Sequence, residues 1–340
     1  MRKLLNTLYI TTPESYLSKD GMNVVVSVNQ METFRIPIIN IESIVTFGYM
    51  GASPGLMRLC ADNGVALTFL SPSGRFVSRV QGPTKGNVLL RTRQYRLSED
   101  ADCALNISRL FIAGKIQNYR NVLCRFIRDH GDNDEVSEAS NILDRCKREA
   151  LLAGNLEELR GVEGGAANTY FSAFPHLIIS QQSDFPFSGR NRRPPKDAVN
   201  AMLSFVYTLI ANDVSAALET VGLDPYVGFM HQLRPGRTSL ALDLMEELRA
   251  YLGDRFVLSL INRKQLCRND FLKQGEESVV MTDSARKVFL SAWQARKKEE
   301  ILHPYLNEKI QIGLLPHVQA MLLARYIRND IDNYPVFLMK

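Results

Sequence analysis

Clustered acidic side chains mark residues 228–249, which read GFMHQLRPGRTSLALDLMEELR. The second half of this stretch has helical periodicity and places Asp243, Glu246 and Glu247 three and four positions apart, so their carboxylates share one helix face. Like charges at this spacing repel unless water, a basic side chain or a cation neutralises them. Two interpretations are open: a solvated polar face opposite the apolar arc of the helix, or a face that binds a cation.

The same stretch begins with an imidazole and a basic corner. His231 follows an aromatic turn, and Arg234 and Arg237 flank a Pro-Gly pair that predicts a tight bend. Thr238 or Ser239 is the predicted N-cap of the helix that follows. Upstream, Glu163 lies in the segment 160–171, RGVEGGAANTYF.

The neighbours of Glu163 are small. Gly161, Gly164 and Gly165 flank it, which predicts that the backbone approaches a neighbouring element closely at this point. The glycines have neither the spacing nor the lysine of a phosphate-binding G-x-x-x-x-G-K-[ST] loop. ATP hydrolysis is therefore excluded as the activity.

Three ordered blocks carry a resemblance to a known family. They are Arg-Gly-Val-Glu-Gly-x-Ala-Ala-x-x-Tyr-Phe at 160–171, Gly-Phe-Met-His at 228–231, and Ser-Leu-Ala-Leu-Asp-Leu-Met-Glu-Glu-Leu-Arg at 239–249. On these blocks the chain resembles the catalytic subunit of the CRISPR adaptation complex, the "Cas one" integrase and nuclease family. The resemblance extends over nearly the whole chain and is closest to the variant found beside subtype I-C systems.

The resemblance implies the site residues. The matched positions of the family hold a divalent ion, which makes Glu163, His231 and Glu246 the expected metal ligands and catalytic residues, with Asp243 in a supporting role. Two carboxylates and one imidazole suit Mg²⁺ or Mn²⁺ with open coordination positions, and the absence of thiolate ligands argues against structural zinc. The chemistry expected of such a site is phosphodiester chemistry.

The resemblance also implies the reaction and the partners. The 3′ hydroxyl of a short double-stranded DNA fragment would attack a phosphodiester at the edge of a CRISPR repeat. The protein would be a homodimer that works with a small ferredoxin-like subunit, and subtype I-C neighbours include an iron-sulfur nuclease that trims DNA ends. Two alternatives stay open: a stand-alone metal-dependent nuclease on branched DNA, and a non-catalytic DNA-binding scaffold.

Composition sets the broad class. The 340 residues suit about two domains, and 45% hydrophobic with 23% charged residues is typical of a globular chain with a sizeable core. The net charge of +5 is compatible with DNA binding if the charges segregate. We expect no bilayer-spanning segment and a cytoplasmic location. Five widely spaced cysteines predict reduced, buried thiols: Cys60, Cys103, Cys124, Cys146 and Cys267.

Hydrophobic periodicity predicts an α+β protein of two domains. Residues 1–83 form a small β-rich domain for packing or dimerisation, residues 84–95 are a linker and the start of the helical region, and residues 96–340 form an all-helical catalytic domain. The individual predictions are strands at 4–11, 23–28, 33–38, 43–47, 65–70 and 76–80, helices at 54–60, 87–97, 101–130, 136–153 and 314–328, and a β-hairpin at 271–282.

Basic residues are spread over the helical region. A loop between Phe171 and Asp197 ends in Arg190, Arg192 and Arg193, which is typical either of a surface excursion or of contact with a DNA backbone. Together with Arg234 and Arg237, these are the candidate DNA-binding residues. Lys115 belongs to the predicted polar sides of the long helices, interpreted as an ordinary helical surface or, for a subset of its residues, a phosphate track.

Overall fold

The chain folds into two compact units. The computed structural model describes residues 6–48, 51–71, 76–80, 82, 88–191, 194–231, 233–274 and 278–339. The first unit comprises Met1–Lys85, Met281–Glu300 and Gln311–Leu314, and the second comprises Gly86–Val280, Ile301–Ile310 and Leu315–Lys340. Residues 281–300 and 311–314 belong with the strand-rich unit, whereas the prediction assigned them to the helical domain.

The described elements follow one another along the chain in this order: β1 (Thr7–Ile10), β2 (Ser15–Asp20), β3 (Asn23–Val28), β4 (Met31–Pro37), β5 (Ser43–Phe47), α1 (Pro54–Asp62), β6 (Ala66–Leu70), β7 (Phe76–Val80), α2 (Val88–Glu99), α3 (Ala101–His130), α4 (Asp134–Leu152), α5 (Leu156–Ala173), α6 (Ala198–Val221), α7 (Ser239–Met245), a π-helical turn (Arg249–Asp254), α8 (Arg255–Asn262), β8 (Phe271–Gln274), β9 (Ser278–Met281), α9 (Asp283–Lys298), β10 (Glu300–Leu302), β11 (Lys309–Gln311) and α10 (Leu315–Ile327).

Two sheets build the first unit. Strands β2, β3 and β4 form an antiparallel meander, with the turn between β2 and β3 at Gly21. Strand β2 was not predicted from the sequence, and the predicted strand at 4–11 pairs with β5 instead of β3. The second sheet has the order β1-β5-β6-β7, in which β1, β5 and β6 run parallel and β7 antiparallel. Helix α1 connects β5 to β6, as parallel neighbours require. The predicted turn at Pro72-Ser73-Gly74 lies outside the described residues.

Helix α9 also belongs to the first unit. It begins after Thr282, whose hydroxyl accepts the N–H of Ala285 at 3.1 Å. Phe289 and Trp293 are buried side chains of this helix. Periodicity predicts such a helix, but it does not show which sheet or bundle the buried face packs against.

The second unit is mainly helical. Asp100, Asn133, Asn155 and Asp197 begin helices α3 to α6, and each side chain accepts backbone N–H groups of the first turn. Helix α3 packs against α4, α5 and α7, and α6 packs against α7 and α10. The mainly helical character agrees in outline with the predicted helical domain. Two short strand pairs, β8–β9 and β10–β11, are also present, and only the first of them was predicted.

Helix α7 is shorter than its apolar pattern suggests. The α-helical part ends at Met245, and after a turn the chain continues as the π-helical turn and then as α8. Thr238 occupies the N-cap position but makes no side-chain capping hydrogen bond. A π-helical segment widens the helix and re-aims its side chains, and such segments are frequent at functional sites.

Helix α6 is long and apolar enough, by length and composition, to cross a bilayer, so the expectation that no segment reaches this length was wrong. Its most apolar window is 67% buried within the protein, as in the core helix of a globular unit. The five cysteines are free thiols, but only Cys60 is buried and Cys267 is exposed, so the prediction of five buried thiols was also wrong.

Candidate active site

Two carboxylates from different helices meet on one buried lysine. Lys115 of α3 donates a hydrogen bond to Oε1 of Glu163 on α5, and its Nζ lies 2.8 Å from Oε2 of Glu246, which follows α7. The side chains of Lys115 and Glu246 are 2% and 3% exposed, whereas Glu163 is 24% exposed. The packing of α3 against α5 and α7 brings the three residues together. Of this trio, Glu163 faces the open side.

Glu246 is ionised despite its burial. Burial alone would raise its pKa, but the charges of Arg249, Lys115 and His231 outweigh this effect and lower the pKa to about 2. Arg249 Nη2 lies 3.0 Å from Oε1 of Glu246. The other oxygen, Oε2, accepts no hydrogen bond of good geometry, although it lies within ion-pair distance of Lys115. A buried, charged oxygen of this kind is a suitable cation ligand.

Asp243 of α7 organises the loop that carries His231. Its Oδ2 accepts the N–H groups of Phe229 at 2.6 Å and Met230 at 3.1 Å. Its Oδ1 accepts the N–H of His231 at 3.0 Å and lies 2.6 Å from Nδ1 of the same residue. A Cβ at Gly228 would lie 2.5 Å from Oδ2 of Asp243, so only glycine fits there. The aspartate therefore fixes the imidazole and leaves Nε2 available to another partner.

The acidic face predicted for residues 243–247 is not solvated, so that interpretation of the sequence was wrong. Asp243 of α7 and the two glutamates in the turn that follows it, Glu246 and Glu247, are all buried. The third, Glu247, holds the C-terminal segment: its Oε1 accepts hydrogen bonds from the Tyr334 hydroxyl at 2.5 Å and Gln319 Nε2 at 2.9 Å. Its Oε2 accepts the N–H of Phe337 at 2.7 Å. Glu247 is thus a structural carboxylate, separate in its contacts from Glu246.

The glycines beside Glu163 do not bring a neighbouring element close. A Cβ added at Gly161, Gly164 or Gly165 would meet no atom within 4 Å beyond the adjoining helix backbone. The prediction of a close internal approach was therefore wrong. The glycines instead leave the surface of α5 low and open next to the Glu163 carboxylate.

Sequence reasoning missed the polar groups behind Glu246. The Tyr207 hydroxyl donates to Oδ1 of Asp254 at 2.5 Å, and the guanidinium of Arg249 lies 5.0 Å from the centre of the Tyr207 ring. Burial raises the pKa of Asp254 to about 6, against the opposing effect of the Tyr207 hydrogen bond. This network supports Arg249, which in turn pairs with Glu246.

The predicted DNA-binding arginines differ in their surroundings. Arg190 makes internal contacts, donating to Asn200 Oδ1 at 2.7 Å and Ser204 Oγ at 3.1 Å. Arg192 and Arg193 lie outside the described residues. Arg234 is exposed and Arg237 partly exposed, on a turn closed by the Arg237 N–H donating to the Arg234 carbonyl at 3.0 Å.

The donor set suits a hard divalent cation, although the ligands are only partly gathered. Glu163 and Glu246 both contact the ammonium of Lys115. The electrostatic effect of His231 is one of those that lower the pKa of Glu246. Within the described ranges, however, no group of three His, Cys, Asp or Glu side chains is placed to hold a metal ion. Oxygen ligands with one imidazole fit Mg²⁺ or Mn²⁺.

Comparison with known proteins places the chain in a family. A family model described as CRISPR associated protein Cas1 matches residues 8–295. A protein of Chlorobaculum tepidum named CRISPR-associated endonuclease Cas1 1 is 51% identical over 343 residues. A protein of Rhodospirillum rubrum named CRISPR-associated endonuclease Cas1 2 is 49% identical over 347 residues. Each alignment covers 100% of both chains. A Cas4/Cas1 fusion of Geobacter sulfurreducens is 36% identical and aligns with 98% of this chain and 60% of the fusion.

Solved structures share the fold. A Cas1 protein from Thermotoga maritima superposes with a TM-score of 0.83 at 21% identity, over 98% of this chain and 100% of that one. A casposase bound to its integration product also gives 0.83 at 21% identity, over 97% of this chain and 92% of that one. A chain of a Cas6-RT-Cas1–Cas2 complex gives 0.83 at 20% identity, over 98% of this chain and 36% of that one.

The family model and the two full-length relatives define an endonuclease of the kind associated with CRISPR systems. The chain belongs to the Cas1 family, which confirms the family resemblance identified in the sequence.

Proposed function

We propose that this chain is the metal-dependent endonuclease and integrase of CRISPR spacer acquisition. The 3′ hydroxyl of a short DNA fragment attacks a phosphodiester at the boundary of the CRISPR repeat, and one phosphodiester replaces another, so no external energy source is needed. The observation that carries the proposal is the pair of carboxylates, Glu163 and Glu246, held around one positive charge beside an open helix surface. The casposase with its integration product supports strand transfer as the reaction type for this fold.

Glu163 and Glu246 are the proposed carboxylate ligands of Mg²⁺ or Mn²⁺, with Nε2 of His231 as the third ligand. The bound ion supplies polarisation of the scissile phosphate and stabilises the charge that develops on its oxygens. Asp243 keeps the imidazole oriented by the 2.6 Å contact at Nδ1. Arg249 keeps Glu246 ionised at neutral pH by its 3.0 Å ion pair.

The exposed groups of the site define the proposed side of approach for DNA. Glu163 and His231 are 24% and 20% exposed, while Glu246 is buried behind them. The glycine surface of α5, where an added Cβ at Gly161, Gly164 or Gly165 would meet no atom within 4 Å, is the proposed path of the sugar-phosphate backbone. Arg234 and Arg237 are the proposed phosphate contacts, together with Arg192 and Arg193; Arg190 is the weakest candidate because its contacts are internal.

The proposed assembly is a homodimer, with the strand-rich first unit as its packing or dimerisation module. A small ferredoxin-like subunit and DNA complete the adaptation complex, and the structure titled Cas6-RT-Cas1–Cas2 complex supports such a partner. A further proposed partner is an iron-sulfur nuclease that trims DNA ends; the fusion named exonuclease Cas4/endonuclease Cas1 supports an exonuclease as a partner. We also propose that the chain serves a subtype I-C system in the cytoplasm.

A strand-transfer assay tests the function. The purified protein and its small partner are mixed with a labelled DNA fragment, a repeat-bearing plasmid and Mn²⁺, and joined product is measured. We expect joining by the wild type, and its loss in Glu163→Ala and His231→Ala with salt-sensitive DNA binding retained. Cleavage of branched DNA without joining would favour the stand-alone nuclease, and binding without any turnover would favour the scaffold. Unchanged turnover in both variants would reject the site assignment.

A further inference from the structure

Lys115 lies between the carboxylates of Glu163 and Glu246. Its ammonium contacts one oxygen of each carboxylate, and its side chain is 2% exposed. A buried lysine is rare unless paired, and two carboxylates drawn together in a protein interior repel each other unless a cation separates them. The lysine therefore provides a positive charge that offsets the repulsion between these two carboxylates.

We propose that Lys115 is a built-in cation that holds the two carboxylates together in the metal-free protein and leaves its place between them when a divalent ion binds. This inference rests on the proposed metal site. An ammonium and a divalent cation repel each other strongly at contact distance, so both cannot occupy the same position between two carboxylates. Lys115 is thus a positioning residue that keeps the site assembled and competes with the ion.

The surroundings of Lys115 allow such an exchange. The ammonium is carried on a flexible four-carbon stem, so it can move while its backbone stays fixed in α3. Its Nζ lies 5.7 Å from the centre of the Tyr119 ring, one turn further along the same helix. The face of that ring is a favourable partner for a displaced ammonium. Glu246 also keeps its second cationic partner, Arg249, throughout the exchange.

The test measures metal binding and unfolding, independently of catalysis. Mn²⁺ binding is measured by calorimetry, and thermal unfolding is followed in EDTA and in saturating Mn²⁺, for the wild type, Lys115→Met and Lys115→Arg. Lys147→Met is the matched control, because Lys147 also pairs with an acid, Asp144, at 3.3 Å, but is 28% exposed and lies on α4. The wild-type and Glu163→Ala titrations establish whether the metal site exists at all.

For Lys115→Met we expect an unfolding midpoint in EDTA about 5–10 °C below the wild type. Saturating Mn²⁺ should restore most of this loss, and the Kd for Mn²⁺ should fall about tenfold because the competing ammonium is gone. Lys115→Arg should keep the stability of the wild type in EDTA. Lys147→Met, whose proposed metal ligands are intact, should have the same Kd for Mn²⁺ as the wild type and the same rise of its unfolding midpoint in Mn²⁺.

Two results would overturn the inference. One is an equal loss of stability in EDTA and in Mn²⁺, including failure of Lys115→Met to fold in both, since the lysine would then only fill a core position. The other is unchanged or weaker Mn²⁺ binding by Lys115→Met. A wild type that binds no Mn²⁺, or binds it equally well as Glu163→Ala, would instead reject the metal site itself, which separates the failure of the proposed function from the failure of the lysine proposal.

Discussion

The carboxylate of Asp243 lies 2.6 Å from Nδ1 of His231 and also accepts the backbone N–H of that residue at 3.0 Å. One buried side chain therefore fixes both the backbone and the ring of the histidine. The other carboxylate oxygen, Oδ2, is committed to the N–H groups of residues 229 and 230. Asp243 has its lone pairs used within the protein, so its contribution to the site is the placement of the imidazole.

The first prediction concerns Asp243→Asn. The amide cannot accept at both of its terminal atoms, so at least one of the loop contacts or the imidazole contact must be lost. We expect strand transfer and Mn²⁺ affinity to fall about 10- to 100-fold, as for other residues that orient a metal-binding histidine. Calorimetry and the joining assay measure both effects. Wild-type values for both would contradict the assigned role of Asp243.

Alternating hydrophobicity and turn residues were sufficient to predict most of the first unit. Strands β3, β5 and β7 match their predicted spans, and the helix beginning at Pro54 is present. The parallel pairing of β1, β5 and β6 was not predictable, because strand periodicity is the same for parallel and antiparallel neighbours. The return of α9 to this unit was missed for the same reason: a periodic pattern identifies a buried face and not its partner.

The candidate site shows a similar limit. Family motifs identified its acids and histidine, but Lys115 was assigned to the polar surface of α3, where the structure buries it. A signal was present: Lys115 lies three residues after Ile112 and four before Tyr119, on the apolar stripe itself. A charged residue at such a position predicts a buried ionic partner. The identity of that partner comes only from the packing of α3 against α5 and α7.

Glu247 makes the stability of the protein depend on pH. Burial raises its pKa from 4.5 to about 7, against the hydrogen bonds from Tyr334, Gln319 and Phe337. The folded state therefore holds this proton more tightly than the unfolded state. The resulting stability is complete below about pH 4.5 and is lost as the pH rises to about 7, amounting to about 3 kcal/mol.

Glu247→Gln tests this dependence. The variant cannot titrate at this position, so we expect a flatter profile of unfolding free energy between pH 5 and about 7 than in the wild type. Urea unfolding at several pH values measures the difference. Asp254, whose pKa is about 6, adds the same pH dependence of the unfolding free energy to the wild type and to Glu247→Gln. An identical slope in the two proteins would contradict the assignment to Glu247.

Tyr207→Phe tests the network behind Glu246. The variant leaves Oδ1 of Asp254 buried without its 2.5 Å hydrogen bond, which should cost about 1–3 kcal/mol of unfolding free energy. The pKa of Asp254 should rise further, because the Tyr207 hydrogen bond lowers it. Tyr95→Phe is the matched control: its hydroxyl also donates to an aspartate, Asp224, at 2.8 Å, but the side chain is exposed. We expect Tyr95→Phe to lower the free energy of unfolding by less than about 0.5 kcal/mol. Equal losses of unfolding free energy in the two variants would argue against the buried network.

Arg190→Ala and Arg234→Ala separate structural from DNA-binding arginines. Arg190 makes internal hydrogen bonds to Asn200 and Ser204, so its removal should lower stability and leave the salt dependence of DNA binding unchanged. Arg234 is exposed, so its removal should weaken binding and reduce the slope of log K against log salt by about 1. Fluorescence anisotropy at several salt concentrations measures both. A smaller salt slope for Arg190→Ala, with an unchanged slope for Arg234→Ala, would instead make Arg190 the DNA contact and contradict both assignments.

Gly164→Ala and Gly114→Ala form a pair with opposite expected effects on stability. At Gly164 a Cβ meets open space, so alanine should stabilise α5 by about 0.5–1 kcal/mol. At Gly114 the same atom would lie 2.1 Å from Cγ1 of Val336, so alanine should lower the free energy of unfolding by about 1–3 kcal/mol by displacing the C-terminal segment.

If a DNA backbone passes over the glycine surface, Gly164→Ala should also reduce strand transfer, even though it makes the protein more stable. Thermal unfolding and the joining assay measure the two effects separately, and a stabilised variant with full activity would show that DNA approaches Glu163 from another side.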